Sequence, residues 1–520
     1  MNPIREPKRT PRSSNDGELD VSERVAQAMT SARLAQIRWS RTPLVRRLNL
    51  VRELRRLMAQ QAWRLAEASA SARQRPPLES LTAEVLPLAE ACRFLECNAV
   101  KLLAPKRYGR RGRPLWLAGV RGETRREPLG VVLIIGPGNY PLLLPGVQLV
   151  QALVSGNAVL LKPGVGGGRV AQAFVELVFR AGFDPQLVAV LPESLEATRA
   201  AIGARPAKVL FTGSAATGEK ILAQLAPQLI PATMELSGSD AVILRADADL
   251  ELAVKALVFG ITLNAGATCL SPKRAFVHRS LATELEGRLA RALHQSRSRS
   301  EDAHPASPES NKPLTSDAAK TLRELLADAL VRGAHFLAGE MRPDGAVTFP
   351  VVLAGVSPAS RLLREDVFAP VLSIVTVADD HEAIMRANDC PFALGASVFS
   401  RDEAAASELA AQIHTGVVTV NDLILPTADA RLPFGGRGRS GFGVTRGAEG
   451  LLELTTPKVV TISRSRFRPA FEPPQPGDEK LLLSYLQLAH GRGLKARGAA
   501  LVALIKTISR KRPNSQEKKS

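Results

Sequence analysis

The chain has 520 residues, 45% hydrophobic and 23% charged. That is enough apolar mass to build a core without disulfide or metal staples, and at about 100–200 residues per domain it should hold two to four domains. Lys and Arg number 69 against 50 Asp and Glu, a net charge of +19, and 13 of these cations against 4 acids fall in residues 464–520. A terminal concentration of charge, with only 4% aromatics and no zinc-finger or RNP-like string, argues for a basic tail and against a nucleic-acid groove. The four cysteines (Cys92, Cys97, Cys269, Cys390) form no CxxC pair and follow no apolar signal sequence, which points to a reducing, cytoplasmic setting. The longest apolar run, Leu142–Val154, carries Pro145 and Gln148 and falls short of a spanning helix. Seven scattered histidines and no HExxH leave a metal site without support.

Residues 1–20 are polar and read as a disordered leader. From Val21 to Leu103 apolar residues recur at helical spacing, as in Leu48, Val51, Leu54, Leu57 and Met58. Pro114–Val120 and Arg121–Pro128 read as the two arms of a hairpin around a glycine-containing turn. At Gly130 the pattern changes. Short buried runs (Val131–Ile135, Ala158–Leu161, Leu187–Leu191, Lys208–Phe211) alternate with helical stretches, which predicts a mostly parallel sheet covered on both faces. A second alternation follows Leu236, with strands expected at Ala241–Leu244, Arg274–Val277, Val371–Val377, Ala396–Phe399 and Gly416–Asn421. Residues 296–316 read as an exposed connection, and Lys480–Arg512 as one or two basic helices.

Cys269 lies in Asn264-Ala-Gly-Ala-Thr-Cys, small residues after a predicted helix. A lone cysteine is commonly a small core residue; as a thiolate it is a strong nucleophile, favoured where backbone amides or a helix N-terminus point at it. Asn139, in Gly136-Pro-Gly-Asn-Tyr-Pro, is either a turn residue bonding its own loop or, with the Cys269 N–H, a donor to a developing oxyanion. Glu235, in Met-Glu-Leu-Ser-Gly, is either a solvated strand-end charge or a general base with its pKa raised by apolar surroundings. Gly213-Ser-Ala-Ala-Thr-Gly218, between a strand and a helix, has glycines that would let backbone approach a pyrophosphate. Its GxxxxG spacing matches neither the GxGxxG nor the Walker pattern.

Taken in order, PLGVVLIIGPGNYP (128–141), GNAVLLKP (156–163), KVLFTGS (208–214), MELSG (234–238), NAGATC (264–269), EDVFAPV (365–371) and LPFGGRGRSGFG (432–443) strongly resemble the aldehyde dehydrogenase superfamily, and look closest to its class 3 and coniferyl-aldehyde branch. The resemblance implies an α/β fold in three parts. These are a Rossmann-type NAD(P)-binding domain (21–113 and 129–235), an α/β catalytic domain (236–436) and a small β oligomerisation element (114–128 and 457–463), with 464–520 as a basic C-terminal tail. It further implies Cys269 as nucleophile, Glu235 as activator of the deacylating water and Asn139 in the oxyanion hole. Lys162 would lie at the adenosine ribose, Gly213, Ser214 and Gly218 at the pyrophosphate, and Asp366 and Phe368 at the nicotinamide side. The implied reaction is NAD- or NADP-dependent oxidation of a small-molecule aldehyde to a carboxylic acid through a thiohemiacetal and a thioester, in a homodimer or homotetramer.

Several positions depart from the family pattern. Gly138 replaces the usual Trp, Ala267 a Gln, Asp366 a Glu and Ser239 a Lys, and Val165 stands where an acidic residue often follows Lys162. Without that carboxylate NADP is admissible beside NAD. The departures also motivate an alternative, a non-catalytic scaffold or binding protein with a drifted cofactor site. In the tail, Leu481–Leu488 and Ala499–Ile508 with their flanking cations are compatible with weak contact to an anionic membrane surface, or with a solvated tail.

Overall fold

A computed structural model describes residues 20–114, 117, 119–303, 316–464, 471 and 473–511; the expected leader, but for Asp20, lies outside them. Two short polar strands come first, β1 (Lys106–Tyr108) and β2 (Val120–Pro128), paired antiparallel with Arg107 opposite Glu123. Val120–Pro128 thus pairs with β1; residues 115, 116 and 118 of the expected arm Pro114–Val120 lie outside the described residues. The Lys/Arg-rich 106–108 segment does form a strand, because an edge open to solvent accepts charged side chains on both faces.

The apolar runs after Gly130 become β3 (Val131–Ile135), β4 (Ala158–Lys162), β5 (Val188–Val190), β6 (Lys208–Gly213) and β7 (Ala232–Leu236), all parallel. Every residue of β3 and β4 is buried, as strands covered by helices on both faces must be. The order β7-β6-β3-β4-β5 runs outward in both directions from β3. The chain thus switches sides beside β3, and the crevice at the carboxyl ends of β3 and β6 is where such sheets take ligands. Val21–Ser40 and Leu44–Gln60 supply part of the cover; in the second helix Leu48, Val51, Leu54, Leu57 and Met58 form the buried stripe.

The second sheet holds β8 (Asp240–Leu244), β9 (Pro272–His278), β10 (His335–Met341), β11 (Val347–Ala354), β12 (Val371–Val377), β14 (Gly395–Phe399) and β15 (Val417–Val420), in the order β10-β11-β12-β9-β8-β14-β15. Only β10 runs antiparallel. The β10–β11 hairpin, absent from the sequence reading, turns at Pro343-Asp344-Gly345, a turn signal in its own right. The helix Ala282–Ala303 runs through the first part of the stretch read as exposed connection. Leu285, Leu289 and Leu293 anchor its buried side and its polar last turns continue the same backbone ladder; residues 304–315 lie outside the described residues.

β13 (Phe392–Ala393) pairs with β16 (Arg437–Gly438). β17 (Gly441–Phe442) then crosses to the edge of the first sheet, pairing antiparallel with β7 so that Gly441 faces Glu235. β18 (Thr455–Ser463) completes a three-stranded sheet in the order β1-β2-β18. The chain divides into two compact units, 1–105 with 125–458, and 106–124 with 459–520. Both large sheets belong to the first. The second ends in two helices, Asp478–His490 and Leu494–Lys511, as the tail pattern predicts.

Candidate active site

Asn139 follows β3 in a tight loop, and its Nδ2 donates to the Ala267 carbonyl at 3.0 Å. Asn264 Nδ2 reaches both the Asn139 carbonyl and the Ala267 carbonyl at 3.1 Å, and the Tyr140 and Thr268 hydroxyls lie 2.7 Å apart. Residues 125 to 128 positions apart in sequence are thereby locked beside Cys269. The cysteine loop itself is strained: Asn264 and Ala265 both have φ of +52° and Gly266 +72°. Left-handed backbone at an alanine costs about 1–2 kcal/mol, and a side chain at Gly266 would meet the backbone nitrogen of Pro370 at 2.5 Å. Two carboxylates from the N-terminal helices hold this arrangement. Glu79 accepts from the Asn264 N–H at 2.9 Å. The fully buried Glu84 accepts from the Leu142 and Leu143 N–H groups at 2.7 and 3.0 Å, satisfying the start of the helix after Asn139.

Cys269 is half-buried, between Gly238 and the apolar Leu270, Leu394 and Phe434. Burial pushes its thiol up to about 12, the Asp240 and Glu235 charges push the same way, and Arg446 opposes them. Cys269 lies in the loop that precedes strand β9, where burial first and the two carboxylates second favour the neutral thiol. Only the thiolate reacts with alkylating agents, and a pKa near 12 leaves a fraction of about 10⁻⁵ ionised at pH 7. Iodoacetamide labelling of Cys269, followed by mass spectrometry of its peptide, is therefore expected to rise about tenfold per pH unit from 7 to beyond 10. A plateau by pH 9 would contradict this assignment.

Glu235 is buried on β7, its Oε2 accepting from Thr212 Oγ1 at 3.0 Å and Gln148 Nε2 at 3.3 Å, and its Oε1 from the Thr445 hydroxyl. The carboxylate thus meets three donors, neither the solvated strand end nor the apolar surroundings that the sequence left open, because β17 and the residues after it fold back onto β7. Arg446, whose guanidinium donates to the Thr427 carbonyl at 2.7 Å and lies 4.7 Å from the Phe434 ring centre, acts electrostatically on both Glu235 and Cys269. Beneath them Asp240, Lys273 and Asp366 interact as a buried group; burial pushes the Asp240 carboxyl up to about 7 and pulls the Lys273 ammonium down to about 8.

Sequence reasoning missed Gln148, Thr445, Arg446, Asp240, Lys273, Glu79 and Glu84. For two of them a signal existed. Gln148 interrupts a helix in which every residue is buried, and Glu84 sits in the apolar stretch Leu81–Leu88; a polar group in such a place needs partners.

Of the cofactor candidates, Lys162, Gly213, Ser214 and Gly218 lie at the carboxyl ends of the first sheet, and Asp366 and Phe368 just before β12 of the second. Lys162 ends β4, buried, its ammonium pKa lowered by that burial and supported by Glu193. Glu193 also accepts from the Gly166 and Gly168 N–H groups at 2.7 Å, shaping the loop after β4. Ser214 ends β6 as the N-cap of Ala215–Leu225, accepting from the Thr217 N–H at 3.3 Å. A side chain at Gly213 would meet the Phe211 ring and one at Gly218 the Leu236 side chain, so these glycines serve close packing of helix on strand. Asp366 is turned inward, accepting from the Ser237 hydroxyl through Oδ2, while Oδ1 has no partner among the described residues; Phe368 is 41% exposed. Gly164 packs against the loop after β3: a Cβ there would lie 2.2 Å from the Pro137 carbonyl carbon. Gly164→Ala must push these two loops apart, and a loss of about 2–4 kcal/mol in stability is expected. Thermal denaturation checks this, and an unchanged midpoint would refute it.

A doubly wound sheet beside a second α/β sheet, with a cysteine, a buried carboxylate and an amide at their junction, defines an α/β enzyme. The sequence model of the "Aldehyde dehydrogenase family" matches residues 15–460. A 4,4'-diapolycopene aldehyde oxidase of Methylomonas sp is 31% identical over 442 residues, 85% of this chain and 82% of that one. The NADP-dependent glyceraldehyde-3-phosphate dehydrogenase of Bacillus halodurans, solved with NADP, superposes with a TM-score of 0.76 at 28% identity, covering 85% of this chain and 92% of that one. A betaine aldehyde dehydrogenase of Staphylococcus aureus shares the fold, with a TM-score of 0.77 at 24% identity, over 87% of this chain and 90% of the other. The chain belongs to the aldehyde dehydrogenase family, and by that membership is an oxidoreductase that uses NAD or NADP.

Proposed function

We propose that the chain oxidises an aldehyde to a carboxylic acid by covalent catalysis at Cys269. The observation that carries this reading is the junction itself: Asn139, the Cys269 loop and Glu235 arrive from three separate elements, two joined by hydrogen bonds and the third acting on the thiol through its charge. The Cys269 thiol gives up its proton to water, its sulfur bonds to the carbonyl carbon as the C=O π pair moves onto oxygen, and Asn139 Nδ2 with the Cys269 N–H receives that oxygen in the thiohemiacetal. NAD or NADP, when bound, supplies the acceptor for the departing hydride. Glu235 then takes a proton from the water that hydrolyses the thioester, its carboxylate held in place by Thr212, Gln148 and Thr445.

The residues present fit a dinucleotide. Gly164 allows close approach of the two loops, Lys162 and Ser214 stand at the ends of β4 and β6, the strands on either side of β3, and Asp366 Oδ1 and Ser239 Oγ are buried polar atoms without partners among the described residues. Lys162 would hold the adenosine ribose, the Gly213–Gly218 turn the pyrophosphate, and Asp366 and Phe368 the nicotinamide side. Val165, 82% exposed, replaces an acidic residue and makes the ribose 2′-phosphate of NADP acceptable. The scaffold alternative loses ground because each departure from the family pattern leaves the reacting groups in place.

The large sheets serve as cofactor and catalytic domains in this reading, and β1, β2 and β18 as the oligomerisation element, whose exposed Val459 and Ile462 suit pairing with another copy. Four free cysteines agree with a reducing cytoplasm. The test is turnover of aliphatic and aromatic aldehydes with NAD+ or NADP+, followed by the absorbance of reduced cofactor, with Cys269→Ala beside it. Absence of both turnover and cofactor binding would overturn the reading in favour of a scaffold.

A further inference from the structure

The unit formed by 106–124 and 459–520 carries 19 Lys and Arg against 5 Asp and Glu, a net +14 of the chain's +19. Its two terminal helices pack on one another, with Ser484 and Ala500 buried and Arg497 Nε donating to the Leu488 carbonyl at 2.8 Å. What they leave outside is apolar. Leu482, Leu486, Leu494, Leu501, Val502 and Ile505 are each at least 44% exposed. On the second helix positions 494, 501, 502 and 505 fall on one stripe at helical spacing, and Arg492, Lys495 and Lys506 flank it, all exposed.

From this juxtaposition we infer that the terminal helix pair is a peripheral docking surface for an anionic lipid bilayer, its leucine stripe entering the headgroup boundary and its cations meeting lipid phosphates. The apolar stripe favours a bilayer over a nucleic acid, which offers phosphates to the cations but no acyl chains to the leucines. A second copy presenting the same helix face would set its own Arg492, Lys495 and Lys506 against these cations, like charge against like. No described helix is long and apolar enough to cross a membrane, which leaves association along the surface. Each Lys or Arg near such a surface contributes about 1 kcal/mol, and the effect fades within a Debye length of about 8 Å at physiological salt. This inference is independent of the aldehyde chemistry.

The test is co-sedimentation of the full chain with vesicles of phosphatidylcholine alone or of phosphatidylcholine and phosphatidylglycerol in equal parts, at low and high salt. Partition onto the anionic vesicles is expected to exceed that onto neutral ones by about a hundredfold and to fall with salt. Leu486→Ser with Leu501→Ser and Ile505→Ser, all surface positions, should lower it by at least about tenfold, with helix content by circular dichroism unchanged. A separate variant, Lys495→Gln with Lys506→Gln, should weaken binding without removing its leucine dependence. Equal partition onto both vesicle types, or a leucine variant that binds as well as wild type, would overturn the proposal. So would binding of the full chain to single-stranded RNA but not to vesicles. A leucine variant that lost self-association in light scattering while keeping its vesicle binding would assign the face to a second copy instead.

Discussion

Replacing Cys269 by alanine is expected to lower kcat for aldehyde oxidation by about 10⁴-fold or more, the scale on which loss of a covalent nucleophile is felt. NAD(P)+ affinity should stay within about a factor of two, because Lys162, Gly213, Ser214 and Gly218 belong to the strand ends of the first sheet, Asp366 and Phe368 to the segment before β12, and Cys269 to the separate loop before β9. The backbone of that loop is held from outside the thiol, by Asn264 and Glu79, so Cys269→Ala should keep the loop intact. Steady-state rates and calorimetric cofactor binding check both halves. Turnover that survives would mean that the sulfur is not the nucleophile, whereas loss of cofactor binding together with turnover would mean that the substitution had disturbed the site at large.

Glu235→Gln is expected to separate the two halves of the reaction. In the proposed reaction hydride leaves before the thioester is hydrolysed, so the variant should release close to one equivalent of reduced cofactor per site in a burst. It should then turn over about 10²–10⁴-fold more slowly, the usual worth of a positioned general base. The glutamine keeps the shape of the side chain, although its amide must share Thr212, Gln148 and Thr445 with one acceptor fewer. Stopped-flow absorbance resolves burst from steady state. A kcat equal to wild type would remove Glu235 from deacylation; loss of the burst as well would place it in the first step, where its charge already acts on the Cys269 thiol.

Much of this architecture was legible in the residue order. Runs such as Val131–Ile135 and Val371–Val377 are strands wherever they are placed, because alternation with helices leaves a parallel sheet as their only covered arrangement. The strand ends carrying Asn139, Lys162 and Ser214 follow from the same pattern. Local signals failed where a partner distant in sequence decides the outcome. The strand paired with Val120–Pro128 is the charged Lys106–Tyr108, which no local apolar pattern marks. The helix after Ala282 outran its apolar stretch because three leucines anchor it.

By itself the sequence determined the parallel strands on either side of Leu236, though not the β10–β11 hairpin, and marked Cys269, Glu235 and Asn139 as groups able to react. Tertiary structure alone decided their environments. Glu235 meets three hydrogen-bond donors because β17 returns to the edge of β7 and brings Thr445 with it. Cys269 is held toward the thiol first by burial and then by the Asp240 and Glu235 charges, with Arg446 and a backbone hydrogen bond opposing them. The physical reason is that strand and helix formation depend on neighbours a few residues away, whereas the charge state and hydrogen bonding of a buried group depend on whatever the fold brings within a few ångströms, from any distance along the chain.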